Sequence, residues 1–194
     1  MRSNNLSSRH RLGLAGLLLA GSLVCAVPAM AQTGGSGPPG GTTTDPTVST
    51  TPTGTARMLS DGTAAAPANA PFAVQRAIMA ANRIHTRPYI WGGGHRSFKS
   101  KGYDCSGAVS YVLHAAGLLP APMTSGSLAR RWGAPGTGSW ITVYANASHT
   151  FMTIAGLRFD TSALGESLNQ GSGPRWRTTI RGGTGYAARY SPGL

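Results

Sequence analysis

The sequence predicts an α+β domain in which helices come first and an antiparallel β-sheet follows. Three observations carry that prediction. Apolar residues recur at helical spacing over 72–85 and again over 105–116. Past position 138 the pattern changes to short β-branched and aromatic runs. Between the two regimes stand Pro120 and Pro122, which break a helix. Helices followed by strands, without alternation, suit an antiparallel sheet with the N-terminal helices packed on it.

The domain does not use the whole chain of 194 residues. Residues 1–31 read as a secretory signal peptide. Arg2, Arg9 and Arg11 form a basic start, Leu12 to Val27 is apolar, and Ala29-Met30-Ala31 is a small-residue cleavage site. The mature chain is then expected to begin at Gln32 and to be exported, either to the periplasm or to the cell wall and exterior. No later stretch reaches the roughly 18 apolar residues of a membrane span, so no transmembrane segment is expected after cleavage. Residues 32–70 are rich in Gly, Thr, Pro, Ser and Ala. Such a stretch buries little surface and reads as a low-complexity linker. A single domain over 71–194 remains, large enough for one core.

Within it, Phe72 to His85 is the first expected helix, with Phe72, Val74, Ala77, Ile78, Ala81 and Ile84 on its apolar stripe. Arg87-Pro88 ends it, because a residue before proline avoids helical geometry. Tyr89-Ile90-Trp91 leads into a tight Gly92-Gly93-Gly94 loop, and the basic residues 95–102 read as exposed. The second helix runs from Cys105 to about Ala116, burying Cys105, Val109, Val112, Leu113 and Ala116. Asp104 suits its N-cap and Gly117 its C-terminal stop. Expected strands are Trp140 to Tyr144, Phe151 to Ile154 and Arg158 to Thr161, the last two forming a hairpin. A late strand is expected near Tyr186 to Tyr190.

Charge narrows the surroundings. Without the three leader arginines the chain keeps 14 Lys and Arg against five Asp and Glu, a net charge of +9. Such a surface favours an anionic environment. The cations are scattered and export disfavours nucleic acid, so wall polymer or a membrane surface is expected.

The candidate chemistry centres on a thiol. Cys25 leaves with the leader, so Cys105 stands alone and no internal disulfide forms. It opens a helix, where free N–H groups and the dipole favour a thiolate. Such a nucleophile needs a histidine base. His114 is half a turn out of phase and about 13 Å along the same helix. His85 suits the end of the first helix. His95, in the Gly-rich loop, is the weaker alternative to His149, which opens an apolar strand. The acids of 71–194 are Asp104, Asp160 and Glu166. With a turn near Ala155-Gly156, Phe151 pairs with Asp160, and His149 becomes its same-face diagonal neighbour. Asp160 would then orient the imidazole, or it would cap the turn beside it. No zinc-peptidase, phosphate-loop, dinucleotide or Gly-x-Ser-x-Gly pattern occurs.

Pro88-Tyr89-Ile90-Trp91-Gly92-Gly93, Gly102-Tyr103-Asp104-Cys105-Ser106-Gly107, Val109-Ser110-Tyr111 and Ala116-Gly117-Leu118-Leu119 together resemble the NlpC-type family of papain-like cysteine peptidases of bacterial cell walls. The resemblance covers about residues 71–162 and is densest over 88–119. It implies a papain-like fold and hydrolysis of amide bonds in peptidoglycan stem peptides, with no metal or organic cofactor. It implies Cys105 as nucleophile, His149 as base and Asp160 as the third residue. Tyr89 and Trp91 would line the site, and Asp104 and Ser106 would contact substrate. The chain departs from the family where Trp140 to Ser148 replaces a Gly-Asp-Leu element, where His149-Thr150-Phe151 replaces His-Val-Gly, and where Asp160 stands for the commoner third histidine. The expected partner is peptidoglycan or its stem-peptide fragments, acted on by a monomer. A muramoyl-alanine amidase or acyltransferase on the same site, and a non-catalytic wall-binding protein, are the alternatives.

Overall fold

The computed structural model describes residues 54–162, 172–178 and 182–194. The leader, most of the expected linker and Glu166 lie outside the described residues. The elements are β1 (Arg57–Met58), β2 (Ala64–Ala65), α1 (Phe72–Ile84), α2 (Cys105–Ala115), α3 (Ser125–Arg131), β3 (Ala134–Pro135), β4 (Ile141–Ala145), β5 (Thr150–Ile154), β6 (Leu157–Asp160), β7 (Arg175–Arg177) and β8 (Ala187–Tyr190). Six strands form an antiparallel sheet in the order β3-β8-β4-β5-β6-β7. Helices and antiparallel sheet make the fold α+β, as the patterning predicts.

Helix α1 buries Val74, Ala77, Ile78, Ala81 and Ile84, and α2 buries Cys105, Val109, Val112 and Leu113. Strand alternation sends Met152, Ile154, Phe159 and Trp176 into the same core. Each fully buried aliphatic or aromatic side chain contributes about 1.5–3 kcal/mol. Phe72 does not join the stripe. It is 68% exposed and packs only beneath the Arg76 guanidinium, whose carbon lies 5.0 Å from the ring centre.

The folded region begins earlier than residue 71. Ala64, Ala65, Ala66 and Ala70 are buried. The Asn82 side chain of α1 holds Ala64 through both its backbone N–H and its carbonyl, each at 2.9 Å. Ala56 N–H reaches the Ala155 carbonyl at 2.7 Å. Residues 54–70 are therefore part of the domain and not linker. Alanine composition hid them, because small side chains pack closely without a hydrophobic pattern.

Two local features place the functional residues. The β5–β6 turn uses Ala155 and Gly156 at φ 46° and 85°, both left-handed, as a two-residue type I′ hairpin requires. That turn sets the register, with Met152 opposite Phe159 and Ile154 opposite Leu157. The first turn of α2 packs directly on the Gly-rich loop, and a Cβ on Gly107 would collide with the Gly93 carbonyl.

That close approach makes a testable expectation. Gly107→Ala should cost at least about 1–3 kcal/mol in urea unfolding, because the obstacle is backbone. Gly126→Ala, inside α3, meets only the flexible end of Arg130 at 3.3 Å. It should instead gain up to about 1 kcal/mol. Equal effects at the two glycines would contradict the packing argument.

Candidate functional site

Asp104 fixes where α2 begins. It adopts an extended backbone and its side chain accepts from the Gly107 N–H at 2.7 Å, so Cys105 is the first helical residue. The same carboxylate accepts from the Gly92 N–H at 3.0 Å and from His95 Nε2 at 3.0 Å. Ser106 Oγ lies 3.3 Å from Asp104 Oδ1 and 3.1 Å from His95 Nε2. Asp104 and Ser106 are both buried. Their polar atoms are thus engaged with one another and with His95, and all three residues line the open cleft.

The hairpin supplies the opposite group. His149 immediately precedes β5, and its Nε2 lies 2.9 Å from Asp160 Oδ1. The register makes His149 and Asp160 the diagonal neighbours that the hairpin turn predicts. Asp160 also accepts from the Ser162 N–H at 2.9 Å, so it caps the local turn and holds the imidazole at once. Its second oxygen lies 3.5 Å from Arg158 Nε, with both side chains fully buried.

With Nε2 taken by Asp160, Nδ1 is the ring nitrogen left for the Cys105 sulfur. Burial of His149 opposes its charge. Hydrogen bonds with Asp160 and with Cys105, and the negative charges of both, outweigh that penalty and push its pKa up to about 9. Phe151 and Tyr186 flank the ring, each with its centre 6.4 Å away. Tyr89 is pushed above the ordinary tyrosine value by partial burial and then by the charges of Cys105 and Asp104. Its phenol therefore stays protonated across the neutral range.

A cleft of about 550 Å³ opens beside Cys105, with Tyr89, Trp91, His95, Asp104, Ser106 and Ser125 on its wall. Trp91 is 87% exposed at the rim. The structure thus brings Cys105, His149 and Asp160 together, and places Tyr89, Trp91, Asp104 and Ser106 around the same opening. His95 bonds Asp104 and Ser106 at the start of the thiol helix. His85 bonds the Asn82 carbonyl through Nδ1, and His114 bonds the Leu119 carbonyl. Sequence reasoning missed the start of α3. Thr124 caps that helix, and Ser125 donates to the Ala147 carbonyl at 3.3 Å, joining the two far walls of the cleft. The Thr-x-x-Ser spacing of Thr124 and Ser127 was the available signal. Among the described residues, no group of three or more His, Cys, Asp or Glu could hold a metal ion, and no helix is long and apolar enough to cross a membrane.

No protein-family model matches the chain, and no curated protein matches it. Among solved structures it is similar to Rv1477, described as a hypothetical invasion protein of Mycobacterium tuberculosis. The match has 24% sequence identity and a TM-score of 0.44, and it covers 61% of this chain and 62% of that one. It therefore spans less than two thirds of the Rv1477 chain.

The raised pKa of His149 has a sign that can be checked. A group charged more readily in the folded state stabilises the fold fully below its unfolded pKa of 6.5. That contribution is lost as pH rises through about 9. Unfolding midpoints should therefore fall across this window, and His149→Gln should flatten the fall. An unchanged slope in the variant would show that another group carries it.

Proposed function

We propose that this protein is an exported cysteine hydrolase that cleaves amide bonds in peptidoglycan stem peptides, acting as a cell-wall endopeptidase of the NlpC type. The observation that carries this reading is the hydrogen-bonded chain from Cys105, at the first residue of α2, to His149 and on to Asp160. Three further features support it: the Tyr-x-Trp-Gly-Gly and Asp-Cys-Ser-Gly segments, the leader sequence and the net positive charge.

The reaction follows from the geometry. A cationic imidazole beside the sulfur favours the thiolate, which attacks the scissile carbonyl carbon. The carbonyl oxygen gains the negative charge. Gly107 N–H and Ala108 N–H already bond to Asp104, which leaves the N–H groups of Cys105 and Ser106 to receive that oxyanion. One such donor is worth about 3 kcal/mol in transition-state stabilisation. His149 then gives its proton to the leaving amine, and the C–N bond breaks to leave a thioester on Cys105. Water, deprotonated by the same imidazole, hydrolyses the thioester. Asp160 holds the ring orientation throughout and keeps the imidazolium charged. Trp91 and Tyr89 form the apolar side of the cleft against which a stem peptide lies.

Purified wall and synthetic stem peptides should be cleaved, and Cys105→Ala should lower turnover by at least about a thousandfold. Asp160→Asn should keep Cys105 in place but reduce turnover and lower the pH at which activity is lost. Mass analysis of the new termini assigns the bond: a freed carboxyl on a stem-peptide amino acid marks an endopeptidase, whereas a freed lactyl carboxylate marks a muramoyl-alanine amidase. Cleavage that survives Cys105→Ala would overturn the mechanism.

A further inference from the structure

A second concavity, of about 400 Å³, lies between the end of α1, the 95–102 loop and α2. Arg83, Arg87 and Lys99 converge on it, with Ser100 and Tyr111 beside them. It shares no lining residue with the catalytic cleft. Different residues of the segment 87–104, which is drawn together by the Tyr89–Tyr103 bridge, line the two hollows.

We propose that this concavity binds a phosphate oxyanion, as a monoester or diester, through Arg83, Arg87 and Lys99. The first argument is the charge. Among the described residues the ion pairs involve only Asp104 and Asp160, so no described carboxylate forms an ion pair with these three cations. Like charges gathered in one hollow repel one another, and an anion relieves that repulsion. The second argument is the construction of the walls. Tyr103 is buried, and its hydroxyl donates to the Phe98 carbonyl at 2.8 Å and accepts from the Ser100 N–H at 3.3 Å. That pins the loop carrying Lys99. On the other side, Arg175 of β7 bonds the His85 and Arg87 carbonyls and pins the turn carrying Arg87. The cations are therefore mounted on fixed backbone and do not lie on a free tail.

The third argument is chemical fit. Guanidinium groups match the oxygens of a phosphate two at a time, and an ammonium adds a point charge. The volume admits a phosphate with an ester substituent and leaves the hydroxyls of Ser100 and Tyr111 as neutral donors. Bound there, an anionic polymer would be held by the same chain segment whose other residues wall the catalytic cleft. The site stands whether or not Cys105 is a nucleophile.

The test is a titration of the full chain with inorganic pyrophosphate at low ionic strength, followed by calorimetry and by the shift in Tm. Saturable one-to-one binding with a raised Tm is expected. The R83Q/R87Q/K99Q variant should bind about tenfold or more weakly. A charge-matched control, R57Q/R130Q/R131Q, removes three exposed cations elsewhere and should keep the binding. Equal loss in both variants would overturn the site, since it would show an effect of overall charge alone. Absence of saturable binding in the parent chain would overturn it as well. Poly(glycerol phosphate) and phosphatidylglycerol vesicles then identify the source: the one whose capture depends on these three cations supplies the phosphate. None of these readouts uses hydrolytic activity, so they remain interpretable if the proposed reaction fails.

Discussion

The Asp104 carboxylate is the interaction on which the site depends. Backbone N–H groups from two separate segments, an imidazole and a hydroxyl converge on its two oxygens. Capping satisfies a donor that the first turn of α2 would leave open, an effect worth about 1 kcal/mol. The additional bonds do more. They tie the Gly-rich loop and His95 to the start of the helix that carries Cys105. Cys105 and one wall of the cleft therefore form a unit that cannot open without stranding a buried carboxylate. The start of α2 also lies close against the Gly-rich loop, since a Cβ on Gly107 would meet the Gly93 carbonyl and one on Gly94 would meet the Gly107 backbone.

The other half of the site is held by register. His149 and Asp160 meet because the β5–β6 turn contains two residues and no more. One of them is Ala155, which adopts a left-handed conformation at φ 46°. That costs energy for a residue with a Cβ. The same residue is buried, its N–H donates to the Trp140 carbonyl and its carbonyl accepts from the Ala56 N–H, both at 2.7 Å. Those bonds offset the strain and join the turn to β4 and to the N-terminal segment. A slip of one residue would send Asp160 to the opposite face. The short N-terminal segment thus helps hold a register whose effect appears at the far end of the hairpin.

Much of this was legible in the sequence. The stripes of α1 and α2, the Asp104 cap, the Gly117 stop at φ 79° and the hairpin all follow from periodicity and turn chemistry. Helix α3 was not legible, because Ser-Gly-Ser-Leu-Ala-Arg-Arg offers one large apolar residue, Leu128, and weak propensity. Packing of Leu128 and the Thr124 cap decide it instead. Strand β7 was hidden for a different reason. Arg175-Trp176-Arg177 reads as polar surface, yet Trp176 and Arg177 are each only 1% exposed. Trp176 enters the core, where its indole N–H bonds Asn82 at 2.7 Å. Arg177 pairs across the sheet with Arg158 on the opposite face. Burial of a charged side chain has no local sequence signature.

The use of carboxylates also links the interior to the surface. Asp61 accepts from both the N–H and the hydroxyl of Thr63. Asp104 is committed to the helix cap and His95, and Asp160 to His149, Ser162 and Arg158. Every described acid thus has a structural task within the fold. Because the chain has five acids in all against 17 Lys and Arg, most surface cations have no carboxylate to pair with. The positive exterior is therefore a consequence of how the acids are used as well as of composition. Solvent and salt screen scattered cations of this kind. They do so less effectively where a concave wall holds several together, which is why the hollow beside Tyr103 differs from the rest of the basic surface.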